Sequence, residues 1–332
     1  MPPDSKISGP AAAVAARVLE GDRSAVSDAL NCVDDDRPAR RAEALEILDA
    51  LEGRGRGARV GVTGAPGAGK STLLDAMVSE LRRRDRSVGI LAVDPSSQRT
   101  GGALLGDRMR LGSGARDSGV FLRSLAARDQ LGGLSEVTGP SLDVLVAAFD
   151  VVFVETVGVG QSEAQVIDLV DSLVFVAQPA AGDLIQFMKA GILEWPDIFF
   201  VNKSDLGEAA TRTATELKAG LELSTRRDPG YMPPVLSGSA RDGLGIAELI
   251  DALDEHHAHL RSSGTLERRR EEGRVARVRN ALLTRYGRFG LSHLEGDLSV
   301  EPFARARDGV SVDRIVTELG EIVEKEMKAH GR

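Results

Sequence analysis

The stretch GAPGAGKS, from Gly64 to Ser71, constrains what this chain can fold into more than any other. It satisfies G-x-x-x-x-G-K-S/T, a pattern that works only where a strand enters a helix through a tight turn. RVGVTG (59–64) reads as that strand and KSTLLDAMVSELRRR (70–84) as that helix. Gly64, Gly67 and Gly69 let backbone N–H groups curl around phosphate oxygens, and the helix start adds the positive end of its dipole. Ala65, Pro66, Ala68 and Thr72 complete the expected phosphate-binding set. Lys70 is expected to neutralise charge on the outer phosphates and to serve catalysis, and Ser71 to offer a hydroxyl to Mg2+.

The rest of the chain continues the alternation that this turn begins. SVGILAVD (87–94), VFLRSL (120–125), DVVFVE (150–155), SLVFVAQ (172–178), DIFFVN (197–202) and a segment near 233–237 read as strands. Several are short apolar runs, as in strands buried on both faces. Helices are expected between them, at about 207–223 and 245–260 among others. The fold class is therefore α/β, a P-loop NTPase with a mostly parallel sheet, helices on both faces and helical extensions at both termini. The expected division is an N-terminal helical extension (1–55), a P-loop domain (56–261) and a C-terminal helical arm (262–332).

Three acids are candidates for holding Mg2+ beside Ser71, because that ion takes an octahedron of oxygens and keeps several waters. Asp94 ends the second strand, Asp107 lies in LLGDRMR, and Glu155 ends the strand DVVFVE. The carboxyl ends of parallel strands are where open α/β sheets bind ligands. VNKSD (201–205) follows a buried strand and gives N-K-x-D. The Asp205 carboxylate only accepts, and it matches the paired N1–H and NH2 donors of guanine. Adenine has an acceptor at N1 and nothing at C2, so it would leave that carboxylate unpaired. Asn202 and the stem of Lys203 would brace the loop and cover the base. One strand later, Ser239, Ala240 and Arg241 would set a backbone N–H on the guanine carbonyl oxygen. The ligands expected are GTP and GDP with Mg2+. The glycines of GAPGAG and GVG complete no G-x-G-x-x-G, so a dinucleotide reading is weak.

FVETVGVGQSE (153–163) is unusual. The acid is Glu155 where many GTPases carry Asp, and Val159 stands where a water-orienting glutamine would be expected. Gly158 can give its N–H to the γ-phosphate. Val159 cannot orient water, so intrinsic hydrolysis is expected to be slow until a partner orders the loops. Arg99, Arg108 and Lys189 are the candidate cations for the transition state.

Composition excludes several functions. A formal charge of −8 argues against general nucleic-acid or anionic-membrane binding. No apolar stretch approaches the roughly 18 residues of a membrane span. The one cysteine, Cys32, excludes an intrachain disulfide framework and fits a reducing compartment. A cytoplasmic location is expected. The arginine run ERRREEGRVARVR reads as a solvated or dimer-facing helix, and DEHHAH (254–259) as a solvated helix end.

With these motifs assembled, the chain resembles the MeaB/ArgK/MMAA family of P-loop GTPases. VTGAPGAGKST, LAVDPSSQRTGGALLGDRMR, VETVGVGQSE and VNKSDL carry the resemblance, which runs to about residue 260. It implies a GTPase that accompanies an adenosylcobalamin-dependent acyl-CoA mutase, in cofactor loading, protection or reactivation, and a homodimer built through the C-terminal arm. It also places Asp94, Asp107 and Glu155 around the Mg2+ site and residues 98–110 in a nucleotide-sensing loop. QPAAGDLIQFMKAG (178–191) matches a further loop of the family only in part, being more apolar. The alternative is a small-molecule kinase or transport-associated ATPase, a label also attached to this family. N-K-x-D argues against it.

Overall fold

The computed structural model describes residues 9–94, 117–126, 135–156, 162–179 and 192–330. They form two compact units, one gathering residues 58–135 and 150–267, the other 1–57, 136–149 and 268–332.

The first unit is a seven-stranded sheet: β1 (Ala58–Gly64), β2 (Val88–Asp94), β3 (Val120–Ala126), β4 (Val151–Glu155), β5 (Ser172–Ala177), β6 (Ile198–Val201) and β7 (Val235–Ser237). Their order is β3-β2-β4-β1-β5-β6-β7, and every neighbouring pair is parallel. The sequence alternation therefore gives the expected fold class. The strand run leaves β1 in one direction for β2 and β3, returns through β4, and continues in the other with β5 to β7. The carboxyl end of β1 lies at that reversal, the place where open α/β sheets form a crevice.

Side chains alternate across a strand, and the consecutive phenylalanines of β6 illustrate why short apolar runs are needed. Phe200 packs with Leu73, Leu74 and Met77 of one helix (Lys70–Arg83) and Leu249 of another (Ile246–Ser262). Phe199 packs on the other face with Leu217 and Leu221 of a third helix (Glu208–Leu223). Both rings are fully buried.

The second unit is helical. It contains α1 (Pro10–Leu19), α2 (Arg23–Val33) and α3 (Pro38–Leu51) from the start of the chain. Among the described residues the helices of the sheet unit are α4 (Lys70–Arg83), α6 (Ser162–Ile167), α7 (Glu208–Leu223) and α8 (Ile246–Ser262). α5 (Thr138–Ala148) precedes β4 in the chain, yet it belongs to the helical unit. From the chain's end come most of α9 (Thr265–Leu291), α10 (Val300–Arg305) and α11 (Val312–His330). This grouping differs from a division in chain order, in which the two terminal regions are separate and residues 138–148 stay with the sheet. The reason is charge as well as apolar packing. Asp143 of α5 takes the guanidinium of Arg277 at 3.1 Å, Glu52 takes Arg274 at 3.0 Å, and Asp49 takes Arg314 at 2.8 Å. Val278, Leu282, Phe303, Ile315, Leu319 and Val323 form one buried cluster, so the last three helices cover much of their apolar surface within the chain. α9 turns at Gly287, whose φ of 64 suits glycine.

His256 departs from the solvated helix end read in DEHHAH, for it is fully buried. Its Nδ1 lies 2.7 Å from the Ser172 hydroxyl, and its ring stands 4.6 Å from that of Tyr231. Period 3.6 turns one histidine of the run inward while its neighbours face the rim.

Candidate functional site

The phosphate end is built from backbone. Gly64 closes β1 with φ 143, and Gly67 and Gly69 follow with φ 80 and 90, angles that favour glycine. Space also forbids a side chain. A Cβ on Gly69 would lie 2.5 Å from Nδ2 of Asn202, and one on Gly64 would fall on the Val176 carbonyl of neighbouring β5. Ala65 and Ala68 are buried, whereas Pro66, Gly67 and Thr72 are exposed. Lys70 begins α4 with a side chain 7% exposed, and its ammonium donates to the carbonyl oxygens of Gly64 (2.8 Å) and Ala65 (3.1 Å). A buried ammonium needs such oxygens, and stronger acceptors in the loop would draw it to them.

On the metal side, the Ser71 hydroxyl donates to Oε1 of Glu155 at 2.7 Å. Glu155 is in register with Val62 of β1 and Ala92 of β2, so it closes the strand between them. Thr156 fixes the exit of that strand. Its N–H donates to the Val62 carbonyl at 3.2 Å, and its buried hydroxyl lies 3.3 Å from that of Thr63. The sequence reading did not single out this threonine pair, and its only signal was two threonines at neighbouring strand ends. A hydroxyl and a carboxylate are the hard oxygens Mg2+ takes, and among the described residues no group of three His, Cys, Asp or Glu could hold a metal. The donor set fits an ion that keeps waters and phosphate oxygens as its other ligands. Asp94 ends β2 two residues beyond Ala92, at the same sheet edge, and its side chain lies outside the described residues. Arg99, Asp107, Arg108, Gly158 and Lys189 also lie outside them.

The base end follows β6 and β7. Asn202 is 3% exposed and joins three parts of the site. Its N–H donates to Ala177 at 3.0 Å, its amide Nδ2 to the Ala68 carbonyl of the phosphate loop at 2.9 Å, and its Oδ1 accepts from the Ala240 N–H at 3.0 Å. Lys203, at the left-handed φ of 58, donates from Nζ to the Gly67 carbonyl at 2.8 Å. The motif Asn and Lys thus lash the base loop to the phosphate loop, while Asp205 stands free of that lashing. Its Oδ1 lies 3.4 Å from the Ser239 hydroxyl and its Oδ2 3.3 Å from Nη2 of Arg241. Asp242 holds both partners: Ser239 donates to it at 2.6 Å and Arg241 Nε at 3.0 Å. The Arg241 hydrogen bond, with help from Ser239, keeps the Asp242 carboxyl below the usual carboxylate range. Asp242 was not anticipated; its signal is an acid three residues after Ser239 in a glycine-rich turn.

A phosphate loop at the switch point of a parallel sheet, tied by an N-K-x-D asparagine to a base loop, defines a P-loop nucleotide-binding protein of the guanine-recognising type. The chain belongs to the family of the methylmalonyl Co-A mutase-associated GTPase MeaB, whose pattern matches residues 26–286. It is accordingly a GTPase that binds guanine nucleotide. It is 41% identical over 281 residues to a probable GTPase of Mycobacterium tuberculosis, covering 82% of this chain and 83% of that one. It is 37% identical over 268 residues to the GTPase ArgK of Escherichia coli (79% and 81% covered). The mouse methylmalonic aciduria type A homolog, a mitochondrial protein, is 34% identical over 268 residues (76% and 65% covered). A solved structure described as a LAO/AO transport system kinase superposes with a TM-score of 0.68 at 27% identity, over 95% of this chain and 97% of that one.

Proposed function

We propose that this GTPase is a Mg2+-dependent chaperone of an adenosylcobalamin-dependent acyl-CoA mutase, gating cofactor loading, protection or reactivation in the cytoplasm. The family's association with methylmalonyl-CoA mutase supports the partner. Among the described residues no helix is long and apolar enough to cross a membrane. The single observation that carries the switch reading is the Asn202 junction, which ties phosphate and base loops into one unit.

In this reading each functional group exchanges an internal partner for the nucleotide. Lys70 leaves the Gly64 and Ala65 carbonyls for phosphate oxygens. Ser71 and Glu155 part to hold Mg2+, which would supply charge neutralisation on the β- and γ-phosphates. Asp205 accepts from the two guanine donors. Asp94 and Asp107 complete the metal surroundings, Gly158 senses the γ-phosphate, and Arg108 or Lys189 supplies the transition-state cation. Val159 cannot orient water, so basal turnover is expected below about one per minute.

The test is GTP hydrolysis with and without the mutase encoded nearby, with Arg108→Ala and Lys189→Ala alongside. The mutase should accelerate hydrolysis and bind the GTP and GDP states with different affinities. No change on adding a mutase shown to bind would remove the switch reading.

The homodimer is a further proposal. The buried cluster of α9, α10 and α11 takes up much of their apolar surface, so a second copy would meet what is left: Phe289 at 67% and Met327 at 37% exposure. They flank the α9–α11 contact marked by the Tyr286–Glu324 hydrogen bond of 2.9 Å. Light scattering at micromolar concentration should give a dimer that Phe289→Glu converts to monomer; a monomeric unmutated chain refutes it.

A further inference from the structure

We propose that Arg241 is a latch on the base site: it competes with guanine for the Asp205 carboxylate, and Asp242 is the seat to which it retires. The inference rests on the guanine reading of Asp205 given above. Guanine presents two parallel donors and needs both oxygens of Asp205. Oδ2 faces a donor of Arg241 at 3.3 Å, and Oδ1 faces the Ser239 hydroxyl at 3.4 Å. Each carboxylate oxygen has two lone pairs, so the Ser239 contact can persist; the charged Arg241 donor is the one the base must displace.

Asp242 makes that exchange easy. Arg241 already reaches it through Nε at 3.0 Å to Oδ1 and through Nη2 at 3.2 Å to Oδ2. The contact to Asp242 is therefore two-pronged, whereas the contact to Asp205 is single and longer. Ser239 likewise holds Asp242 at 2.6 Å, closer than it holds Asp205. Retiring Arg241 loses one of its three contacts and leaves its charge paired. Without Asp242, the guanidinium would have Asp205 as its remaining carboxylate, and guanine would compete against a better-held cation.

The setting is solvent-accessible, with side-chain exposures of 72% for Arg241, 33% for Asp205 and 40% for Asp242. Exposed pairs are weak, so removing the latch should tighten binding roughly two- to five-fold. The competitor is ionic, so the gain should shrink as salt rises. A side chain that instead stacks on the base gives the opposite sign.

The experiment is stopped-flow and equilibrium binding of ribose-labelled fluorescent GDP to the full chain. Arg241→Gln keeps most of the stem and removes the charge; Arg241→Ala removes both. Both should bind GDP roughly two- to five-fold more tightly at about 20 mM salt and close to the unmutated protein at about 500 mM. Asp242→Asn should weaken GDP binding roughly two-fold, and that loss should vanish in the Arg241→Gln background, a coupling a merely structural role would not produce. Weaker GDP binding by both Arg241 variants, with guanine preference over ADP intact, overturns the latch alone. Equal affinity of the unmutated protein for ADP and GDP overturns the base reading and the latch together.

Discussion

Lys70 at the phosphate end and Arg241 at the base end hold their charges in opposite settings. Lys70 is 7% exposed and rests on two backbone carbonyls, inside a loop where Gly64 and Gly69 leave no room for a side chain. The Arg241 side chain is 72% exposed and rests on two carboxylates that could each hold it alone. The phosphate end is shaped by main chain, so its affinity depends on geometry that few substitutions preserve. The base end is shaped by exchangeable side-chain pairs, so substitution there should alter which ligand binds before it abolishes binding.

That contrast sets the order of expected effects. Lys70→Ala should lower GDP affinity most, by about 3 kcal/mol or roughly 100-fold, because a charge-assisted donor to phosphate has no substitute. Calorimetric titration with a circular-dichroism check of folding measures it, and a smaller loss than for Asp205→Asn would reverse the contrast. Asp205→Asn should cost about 2 kcal/mol in GDP binding, since one acceptor becomes a donor facing a donor. The same variant should gain affinity for xanthosine diphosphate, whose C2 carbonyl accepts from the new amide. Loss of both ligands would show that the base end is as unforgiving as the phosphate end.

Glu155→Gln and Ser71→Ala should slow Mg2+-dependent hydrolysis roughly ten-fold and change GDP affinity far less, if the pair holds the metal as proposed. Unmutated hydrolysis rates would remove that role. The smallest effect lies at neither end. Burial pushes the Asp168 carboxyl up to about 6, with Arg227 pulling the other way. Its folded pKa exceeds the unfolded value, so its contribution to stability is present below about pH 4 and lost as pH rises through 6. Asp168→Asn should therefore flatten that slope and add about 1 kcal/mol at pH 8 after solvent screening, leaving GDP affinity unchanged. Denaturant melts across pH 4–8 would detect either outcome.

The phosphate end and the frame of the base end were legible because each is a run of consecutive residues whose meaning is local. GAPGAGKS must turn where it does, and VNKSD must follow a strand. The strands were legible for the same reason, since a run such as DIFFVN admits no amphipathic helix. The rest depends on distant partners. The hold of Asp242 on Arg241 needs a turn that returns on itself. The burial of His256 needs Ser172, 84 residues away. The assignment of α5 to the helical unit needs Arg277, 134 residues from Asp143.

The helical unit draws on three lengths of chain, 1–57, 136–149 and 268–332, while the sheet unit ends at residue 267. On the ribosome the last sheet strand is therefore made well before α9 to α11. Asp49, Glu52 and Asp143 must wait for Arg314, Arg274 and Arg277, which are among the last arginines synthesised. Until then the acidic groups of the first fifty residues lack those arginines, and closing the unit means joining ends separated by most of the chain. A stop codon near the end would thus strand the beginning: shortening the chain at Ser262 would deprive α3 and α5 of their arginines together with the helices it deletes.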